Sequence, residues 1–161
     1  ISGSFSANIA YKRFSLQGLF NFSVGNDIYN GVRYNLEKMS GYENQTVGVN
    51  NRWRAEGQIT DVPKPVFLGT QSSAGSYESS RFLYDGSYIR LRDITLSYNL
   101  PKSFLAKANL NTARVYVRGQ NLFTYTVDKR FNTDPEVSID GTMSQRPPVF
   151  STILFGLDIN F

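Results

Sequence analysis

Five segments of the chain alternate between apolar and polar residues with a period of two, which is the pattern of a β-strand with one apolar face. They predict strands over residues 3–11, 14–24, 87–100, 112–124 and 150–161. In the second segment, for example, Phe20 and Phe22 share one face, while Asn21 and Ser23 share the other. A globular strand usually has about five or six residues, whereas a tilted strand that crosses a bilayer needs about nine to eleven. The length of these segments therefore favours strands that span a membrane.

The connections between the predicted strands alternate between short and long. Short turns at residues 12–13 and 101–111 alternate with long connections at residues 25–86 and 125–149. Barrels of bacterial outer membranes have this arrangement, with short periplasmic turns and long extracellular loops. Five strands cannot close a barrel, because the smallest membrane barrels have about eight. The sequence therefore predicts an all-β fold in which residues 1–161 form the C-terminal segment of an antiparallel transmembrane β-barrel.

The longer connection contains local signals of its own. Asn30 and Gly31 favour a tight turn. Residues 34–39 favour a short helix, and the proline-containing stretch 62–65 favours an extended conformation. We find no internal repeat and predict no second domain.

Composition excludes most catalytic chemistry. The chain has no Cys and no His, so thiol nucleophiles, thiolate metal sites and imidazole bases are absent. We therefore predict that it is not an enzyme and that it holds no cofactor. Asp128, Asp134 and Glu136 would be the candidates for Ca²⁺, but they lack the spacing and glycine of an EF-hand loop. The net charge of +4 comes from scattered basic residues, which argues against nucleic-acid binding.

The last predicted strand has an aromatic, alternating face that ends on the final residue of the sequence. This face is formed by Phe155, Leu157, Ile159 and Phe161. Outer-membrane proteins commonly finish in this way, and the barrel-assembly machinery reads the pattern. We expect these four residues to be such a signal; the alternative is an ordinary amphipathic strand.

Four stretches resemble one protein family in the order in which that family has them. Residues 81–101 read RFLYDGSYIRLRDITLSYNLP, and residues 114–125 read RVYVRGQNLFTY. Residues 52–65 read RWRAEGQITDVPKP, and residues 153–161 read ILFGLDINF. Together they resemble the SusC/RagA-type TonB-dependent outer-membrane transporters of Bacteroidetes.

The resemblance implies a barrel of 22 strands with an N-terminal plug, of which this chain supplies the last five strands and no plug. It implies uptake of oligosaccharides or peptides across the bacterial outer membrane, among lipid and lipopolysaccharide. The implied partners are a SusD-like surface lipoprotein and the TonB–ExbB–ExbD complex, which would act through the missing N-terminal part. Two alternatives remain at this stage. One is a SusC-like structural subunit of a larger envelope complex, and the other is a soluble secreted β-sandwich that binds carbohydrate.

Aromatic residues of the long connection are the candidate ligand or partner contacts. They are Trp53, Tyr77 and Tyr84. Aromatic faces stack on sugar rings or fill pockets at protein interfaces. The alternative for each is packing within the loop.

Charged and amide residues of the predicted strands are the candidate contacts inside the barrel. Arg114, Arg118 and Gln120 fall on the polar face, where they would contact the plug or a substrate, or pair with acidic groups of neighbouring strands. Arg90 and Arg92 are in phase with the apolar residues of their strand. Since an arginine on the lipid face costs about 2–4 kcal/mol at the bilayer midplane, we expect both at the outer interface, next to lipopolysaccharide phosphates or solvent.

Overall fold

The computed structural model describes residues 1–65, 77–107, 109–131, 134–136, 140–144, 147 and 149–161. The chain divides into two compact units. The sheet unit comprises Ile1–Asn26, Gly86–Pro135 and Pro147–Phe161, and the loop unit comprises Asp27–Asp85 and Glu136–Arg146. The loop unit is drawn from the two long connections.

The described residues form eight strands and two short α-helices. The strands are β1 (Ser2–Tyr11), β2 (Phe14–Ser23), β3 (Asp27–Asn30), β4 (Leu83–Asp85), β5 (Tyr88–Asn99), β6 (Thr112–Thr126), β7 (Thr142–Met143) and β8 (Thr152–Asn160). The helices are α1 (Gly31–Glu37) and α2 (Lys102–Lys107). Short 3-10 helices occur at Val47–Asn51 and Ser80–Phe82. Within the described residues, no helix is long and apolar enough to cross a membrane.

The sheet unit contains one antiparallel sheet in the order β1-β2-β5-β6-β8. Its register aligns the apolar positions of all five strands on one face. One row across the sheet is Ile9, Leu16, Leu96, Val117 and Phe155. The adjacent row, on the other face, contains Asn8, Gln17, Thr95, Arg118 and Leu154. Because side chains alternate along a strand, the sequence pattern becomes a sheet with one apolar and one polar face.

A bulge interrupts the regular alternation in the middle of β5. Leu91 pairs with Phe123 and Asp93 pairs with Gln120, so Arg92 has no directly opposed residue in β6. The pairing of β5 with β2 shifts at the same place. Asn121, in the matching part of β6, has a positive φ of 52°, a conformation for which Asn is enriched. An extra residue in one strand reverses the phase of all residues beyond it.

The bulge overturns the expectation that Arg90 and Arg92 share the apolar face of their strand. Arg90 pairs with Asn21 and Thr124 across the sheet, and these are polar-face positions. Arg92 lines a depression on the same polar face. Strict alternation placed both arginines wrongly, since it assumed an unbroken period of two through Arg92.

The loop unit has a small sheet in the order β4-β3-β7. The sequence predicted a tight turn at Asn30 and Gly31, and the structure does not have it. The side-chain oxygen of Asn30 instead accepts a hydrogen bond from the backbone N–H of Arg33 at 2.8 Å and so caps the N-terminus of α1. This cap starts the helix three residues before the predicted range of 34–39. Met39, Val49 and Val62 form a small buried cluster.

Candidate functional site

The apolar face of the five-stranded sheet is exposed. Phe5 stacks on Phe20 with ring centroids 4.9 Å apart, yet it remains 49% exposed. Ile9 is 62% exposed and Phe155 is 83% exposed. A β-sandwich would bury this face against a second sheet, so its exposure argues against the sandwich alternative. An exposed apolar face of this extent marks an interaction surface for protein or lipid.

The residues of the predicted assembly signal belong to this apolar surface. Phe155, Leu157 and Ile159 alternate along β8 and are exposed, and the exposed Phe161 follows the strand. The placement is that expected of a strand that faces lipid. Recognition of these residues by the assembly machinery stays a prediction.

The polar face carries a depression of about 640 Å³ in its centre. Its polar lining comes from four strands. These residues are Ser6, Asn8, Gln17, Arg92, Asp93, Arg118, Gln120 and Asn121. Arg92 donates a long hydrogen bond of 3.4 Å to the side-chain oxygen of Asn121. The depression therefore presents guanidinium and amide groups side by side.

Asp93 organises the polar groups of the depression. Arg118 Nε donates to Asp93 Oδ2 at 2.6 Å, and Gln120 Nε2 donates to the same oxygen at 3.4 Å. Thr95 Oγ1 donates to Asp93 Oδ1 at 3.1 Å. These contacts follow from the register, because Gln120 lies directly opposite Asp93 and Arg118 lies diagonally. The Arg118 side chain is still 46% exposed, so it can also reach a partner in front of the face.

Arg114 pairs with Asp158 on the strand directly opposite it. Its Nε and Nη2 donate to Asp158 Oδ2 at 3.0 and 2.5 Å, and its guanidinium lies 5.7 Å from the Tyr116 ring. Both side chains of the ion pair are 51% exposed, so the pair contributes about 0–1 kcal/mol. Contact with acidic groups of neighbouring strands was one role predicted from the sequence for Arg114, Arg118 and Gln120. The structure contains such contacts, to Asp158 for Arg114 and to Asp93 for Arg118 and Gln120.

Arg90 lies at the other end of the polar face and is buried. Its side chain is 2% exposed, ion-pairs with Asp134 and donates from Nε to Thr124 Oγ1 at 3.1 Å. The prediction that Arg90 lies at a lipid or solvent interface was therefore wrong.

The carboxylates considered for Ca²⁺ are largely engaged by arginines. Asp134 pairs with Arg90, and Asp128 pairs with Arg130 at 2.6 Å. Two of the three carboxylates considered for Ca²⁺ are therefore bound to arginines, and the described residues contain no metal-binding cluster of acidic side chains.

The predicted loop contacts divide into one buried and two accessible residues. Tyr84 is 2% exposed, and its hydroxyl accepts from Arg33 Nη1 at 2.6 Å. This burial removes Tyr84 from the predicted ligand surface, because its ring faces Arg33 rather than solvent. Tyr77 is 41% exposed. Trp53 is half-buried, with its backbone bonded to Val62. A ligand role for Trp53 and Tyr77 stays a prediction.

The loop unit contains a buried carboxylate, that of Glu37, which the sequence pattern did not predict. Glu37 is 4% exposed and accepts from Arg33 Nε at 2.9 Å and Thr46 Oγ1 at 3.0 Å, and it also pairs with Arg81. Burial acts against the Arg33 charge, but the bonds to Glu37 and Tyr84 hold the Arg33 pKa above its ordinary value. The only local signal was the spacing of four between Arg33 and Glu37. The contacts to Thr46 and Arg81 depend on tertiary folding.

Tyr29 is a second perturbed group of the loop unit. Burial raises the pKa of Tyr29 from 10.0 to about 12, with further contributions from Glu78 and Tyr34. Its hydroxyl is buried and has no hydrogen-bond partner within the described part of the chain. The neutral phenol is therefore the form that this site favours.

Comparison with known proteins gives consistent relatives over nearly the whole chain. No family model matches it. The chain is 39% identical over 154 residues to TonB-dependent receptor P3 of Formosa agariphila, an alignment that covers 96% of the chain and 14% of that receptor. It is 28% identical over 158 residues to TonB-dependent receptor SusC of Bacteroides thetaiotaomicron, covering 97% of the chain and 14% of SusC.

Solved structures agree with the sequence comparison. The chain superimposes on the structure of the RagAB peptide transporter with a TM-score of 0.81 and 30% identity. It superimposes on the RagAB peptide importer in its closed-closed state with a TM-score of 0.79 and 31% identity. Each match covers 99% of this chain and 17% of the solved chain. The chain spans about one seventh of the length of the curated relatives it matches. From the shared fold and these relatives, the chain belongs to the SusC/RagA family of TonB-dependent receptors.

Proposed function

We propose that this chain forms the last five strands of the 22-stranded barrel of a TonB-dependent importer in the bacterial outer membrane. The whole protein would take up oligosaccharides or peptides. The observation that carries the proposal is the sheet with an exposed apolar face and a polar, ion-paired face on opposite sides. Lipid would cover the first face, and the lumen with its plug would lie against the second.

The connections support an orientation of the sheet in the membrane. The turns between β1 and β2 and between β5 and β6 leave one end of the sheet, and the two long connections leave the other. Short turns lie in the periplasm and long loops lie outside the cell in barrels of this class. We therefore assign the end with the short turns to the periplasm and the long connections to the cell exterior.

Exposed apolar side chains of the loop unit support a partner protein at the cell surface. Tyr42 is 92% exposed, Val47 is 83% exposed and Ile59 is 100% exposed. Apolar side chains in loops are candidates for burial at a protein interface. We propose a SusD-like surface lipoprotein as that partner, with TonB–ExbB–ExbD acting through parts of the protein outside this chain.

Uptake by living cells tests the proposal. A strain lacking the gene for the whole protein should fail to accumulate one class of labelled oligosaccharide or peptide that the parent strain accumulates. Collapse of the proton-motive force should abolish the same uptake in the parent strain. The purified protein should fractionate with the outer membrane and bring a lipoprotein with it. Unchanged uptake, together with stable association with a different envelope complex, would support the structural alternative instead.

A further inference from the structure

The end of the sheet that carries the two short turns is strongly basic. The turns and their flanking strand ends, residues 11–14 and 99–112, contain four Lys and Arg and no Asp or Glu. These four are Lys12, Arg13, Lys102 and Lys107. The chain has 17 basic and 13 acidic residues, so outside this region 13 basic residues balance 13 acidic ones. The net charge of +4 is therefore concentrated at this end, which we call the basic rim.

Three of the four charges of the basic rim, on Lys12, Arg13 and Lys102, lie in the two short turns that meet at this end of the sheet. Lys12, Arg13 and Lys102 are exposed, and none of them forms an ion pair within the described residues. The N–H of Asn99 donates to the carbonyl of Arg13 at 2.9 Å, which joins the two turns. Lys12 lies 5.2 Å from the centre of the Tyr11 ring. The rim thus offers three positive charges that have no acidic partner among the residues that the structure describes.

An apolar groove of about 260 Å³ begins next to the basic rim. Its apolar lining is formed by Phe14, Leu96, Tyr98, Val115, Val117 and Phe155. Phe14 follows Arg13 directly, and its ring packs against Tyr98 with centroids 4.7 Å apart. The valines are smaller than the aromatic residues on either side and leave the groove between them. The groove therefore leads from the basic rim along the apolar face of the sheet.

Exposed aromatic residues surround the same end of the sheet. Tyr11 is 67% exposed, Phe104 in α2 is 56% exposed, and Phe161 is 83% exposed. Aromatic side chains with an apolar body concentrate where hydrocarbon meets water. Lysine and arginine can extend their aliphatic stems along such a surface while the charge stays in the headgroup layer. The rim combines both residue classes.

We propose that the basic rim and the groove together bind an anionic phospholipid of the inner leaflet. Its phosphate would lie against Lys12, Arg13 and Lys102, and one acyl chain would occupy the groove. This inference rests on the proposed function, because the apolar face must lie against a bilayer and the short turns must be periplasmic. The unbalanced positive charge selects an anionic lipid over a zwitterionic one, and the apolar groove selects a lipid over a soluble anion.

Lipid binding to the whole protein in detergent tests the wild-type preference without any variant. The probes are phosphatidylglycerol and phosphatidylcholine with identical acyl chains, counted by native mass spectrometry. Each basic residue near an anionic headgroup strengthens binding by about fivefold. Phosphatidylglycerol should therefore be retained at least about tenfold more than phosphatidylcholine. Equal retention of the two lipids would overturn the proposal.

Charge-neutralised variants locate the site. The rim variant combines Lys12→Gln, Arg13→Gln and Lys102→Gln. The matched control removes the same charge from exposed positions of the long connections, by Arg54→Gln, Lys64→Gln and Lys129→Gln. The rim variant should lose the preference for phosphatidylglycerol, and the control should keep it. Loss in both variants, or in neither, would contradict a site at the rim.

A second pair of variants tests the groove separately from the charges. Val115→Phe fills the groove, whereas Ile153→Phe enlarges a side chain on the same face outside its lining. Val115→Phe should lower retention of both lipids and leave the ratio between them in favour of phosphatidylglycerol. Ile153→Phe should change neither. Equal retention by both variants would show that no acyl chain occupies the groove.

Three further outcomes separate this inference from the proposed function. If the rim variant loses bound lipid A while its retention of phosphatidylglycerol is unchanged, the rim faces the outer leaflet and the inference fails. If phosphatidylglycerol is selected normally but the deletion strain shows normal uptake, the importer function fails and the lipid site stands. If the wild-type protein supports uptake normally but retains phosphatidylglycerol and phosphatidylcholine equally, only the proposed lipid site is overturned.

Discussion

Arg90 and Arg114 lie in neighbouring long strands and each pairs with an aspartate, yet their surroundings differ sharply. The Arg90 side chain is 2% exposed and the Arg114 side chain is 51% exposed. An exposed pair contributes about 0–1 kcal/mol, whereas removal of one partner from a buried pair costs about 3–5 kcal/mol. Replacement of Asp134 should therefore matter far more than replacement of Asp158. The same reasoning applies to the buried carboxylate of the loop unit.

Glu37→Gln should loosen the loop unit. The substitution removes the negative charge that Arg33 and Arg81 share, at a side chain that is 5% exposed. We expect a loss of about 3 kcal/mol, which is about a hundredfold in the opening equilibrium. Hydrogen exchange of the amides of residues 27–65 should accelerate accordingly. Glu56→Gln, at an exposed position of the same unit, should leave the exchange unchanged; equal acceleration by both would contradict the assigned role of Glu37.

Tyr29 should make the loop unit sensitive to alkaline pH. Its pKa is raised from 10.0 to about 12 in the folded protein, so the unfolded chain releases this proton first as the pH rises. The stability that the neutral phenol contributes is complete below pH 10 and is lost as the pH rises through about 12. We expect the absorbance of tyrosinate, followed as the pH is raised, to show one tyrosine fewer that titrates near pH 12 in Tyr29→Phe than in the wild-type protein.

The control for this titration is Tyr42→Phe, whose ring is 92% exposed. This variant removes a phenol from an exposed position and leaves the surroundings of Tyr29 intact. If Tyr29→Phe instead removed a tyrosine that titrates near pH 10, the environment assigned to Tyr29 would be wrong.

At the scale of elements, the bulge in β5 decides which side chains face the apolar surface. Ile89 and Ile94 are five residues apart, so a regular strand would place them on opposite faces. In the structure Ile89 pairs with Phe22 and Ile94 pairs with Gly18, and both of those belong to the apolar face of β2. The extra residue Arg92 therefore keeps apolar residues together and moves Arg90 to the polar face.

Spin labels test this phase reversal in the membrane. Labels at positions 89 and 94 should both be accessible to oxygen, which concentrates in lipid, and both be shielded from a water-soluble relaxation agent. A label at position 95 should show the opposite behaviour, because Thr95 lies on the polar face. Opposite accessibility of positions 89 and 94 would mean that β5 is regular and that the bulge is absent.

At the scale of the whole molecule, the five-stranded sheet has two free edges and one bare apolar face. β1 and β8 each pair with a single neighbour within the described residues. Unpaired edges and an exposed apolar face favour aggregation in water. The free edges would be paired if further strands continued the sheet into a barrel, and the apolar face would be covered if it lay against lipid. A longer sheet is compatible with the comparison, because the chain spans about one seventh of the length of its relatives.

A pair of arginine substitutions at one depth of the sheet tests which face meets lipid. Ile9 and Asn8 are neighbours on β1, and Ile9 lies on the apolar face while Asn8 lies on the polar face. Ile9→Arg in the whole protein should lower the free energy of unfolding from lipid vesicles by about 1–2 kcal/mol, because Ile9 lies between the bilayer midplane, where an arginine costs about 2–4 kcal/mol, and the interface, where it costs about 0–1 kcal/mol. Asn8→Arg should have little effect, because in the proposed barrel its side chain would face the aqueous lumen. Similar effects at the two positions would contradict a lipid-facing apolar face.

Sequence reasoning succeeded where a local pattern carries the information. The predicted segment 14–24 corresponds to β2 at Phe14–Ser23, and the predicted segment 87–100 corresponds to β5 at Tyr88–Asn99. A period of two over ten residues suffices for such a prediction, because each strand presents one face to an apolar environment. The family was also readable from short motifs, since the stretch 81–101 contains β5 and the stretch 114–125 lies on β6.

Contacts between distant segments were beyond the reach of the sequence. Glu37 meets Arg81 across 44 residues, and Arg90 meets Asp134 across 44 residues. Tyr84 was a candidate ligand contact because it is an aromatic residue of the long connection, but folding buries it against Arg33. No local pattern encodes these pairs, because each depends on how segments that are far apart in the sequence come together.

The sequence by itself therefore determined the five alternating strands, their apolar and polar residues and the family. Periodicity and short motifs are local properties that survive without a fold. Only the tertiary structure decided the phase of β5 on either side of Arg92, the burial of Arg90 and Tyr84, and the compact loop unit. These depend on one extra residue in the hydrogen-bond register and on charges that must find partners when they leave water.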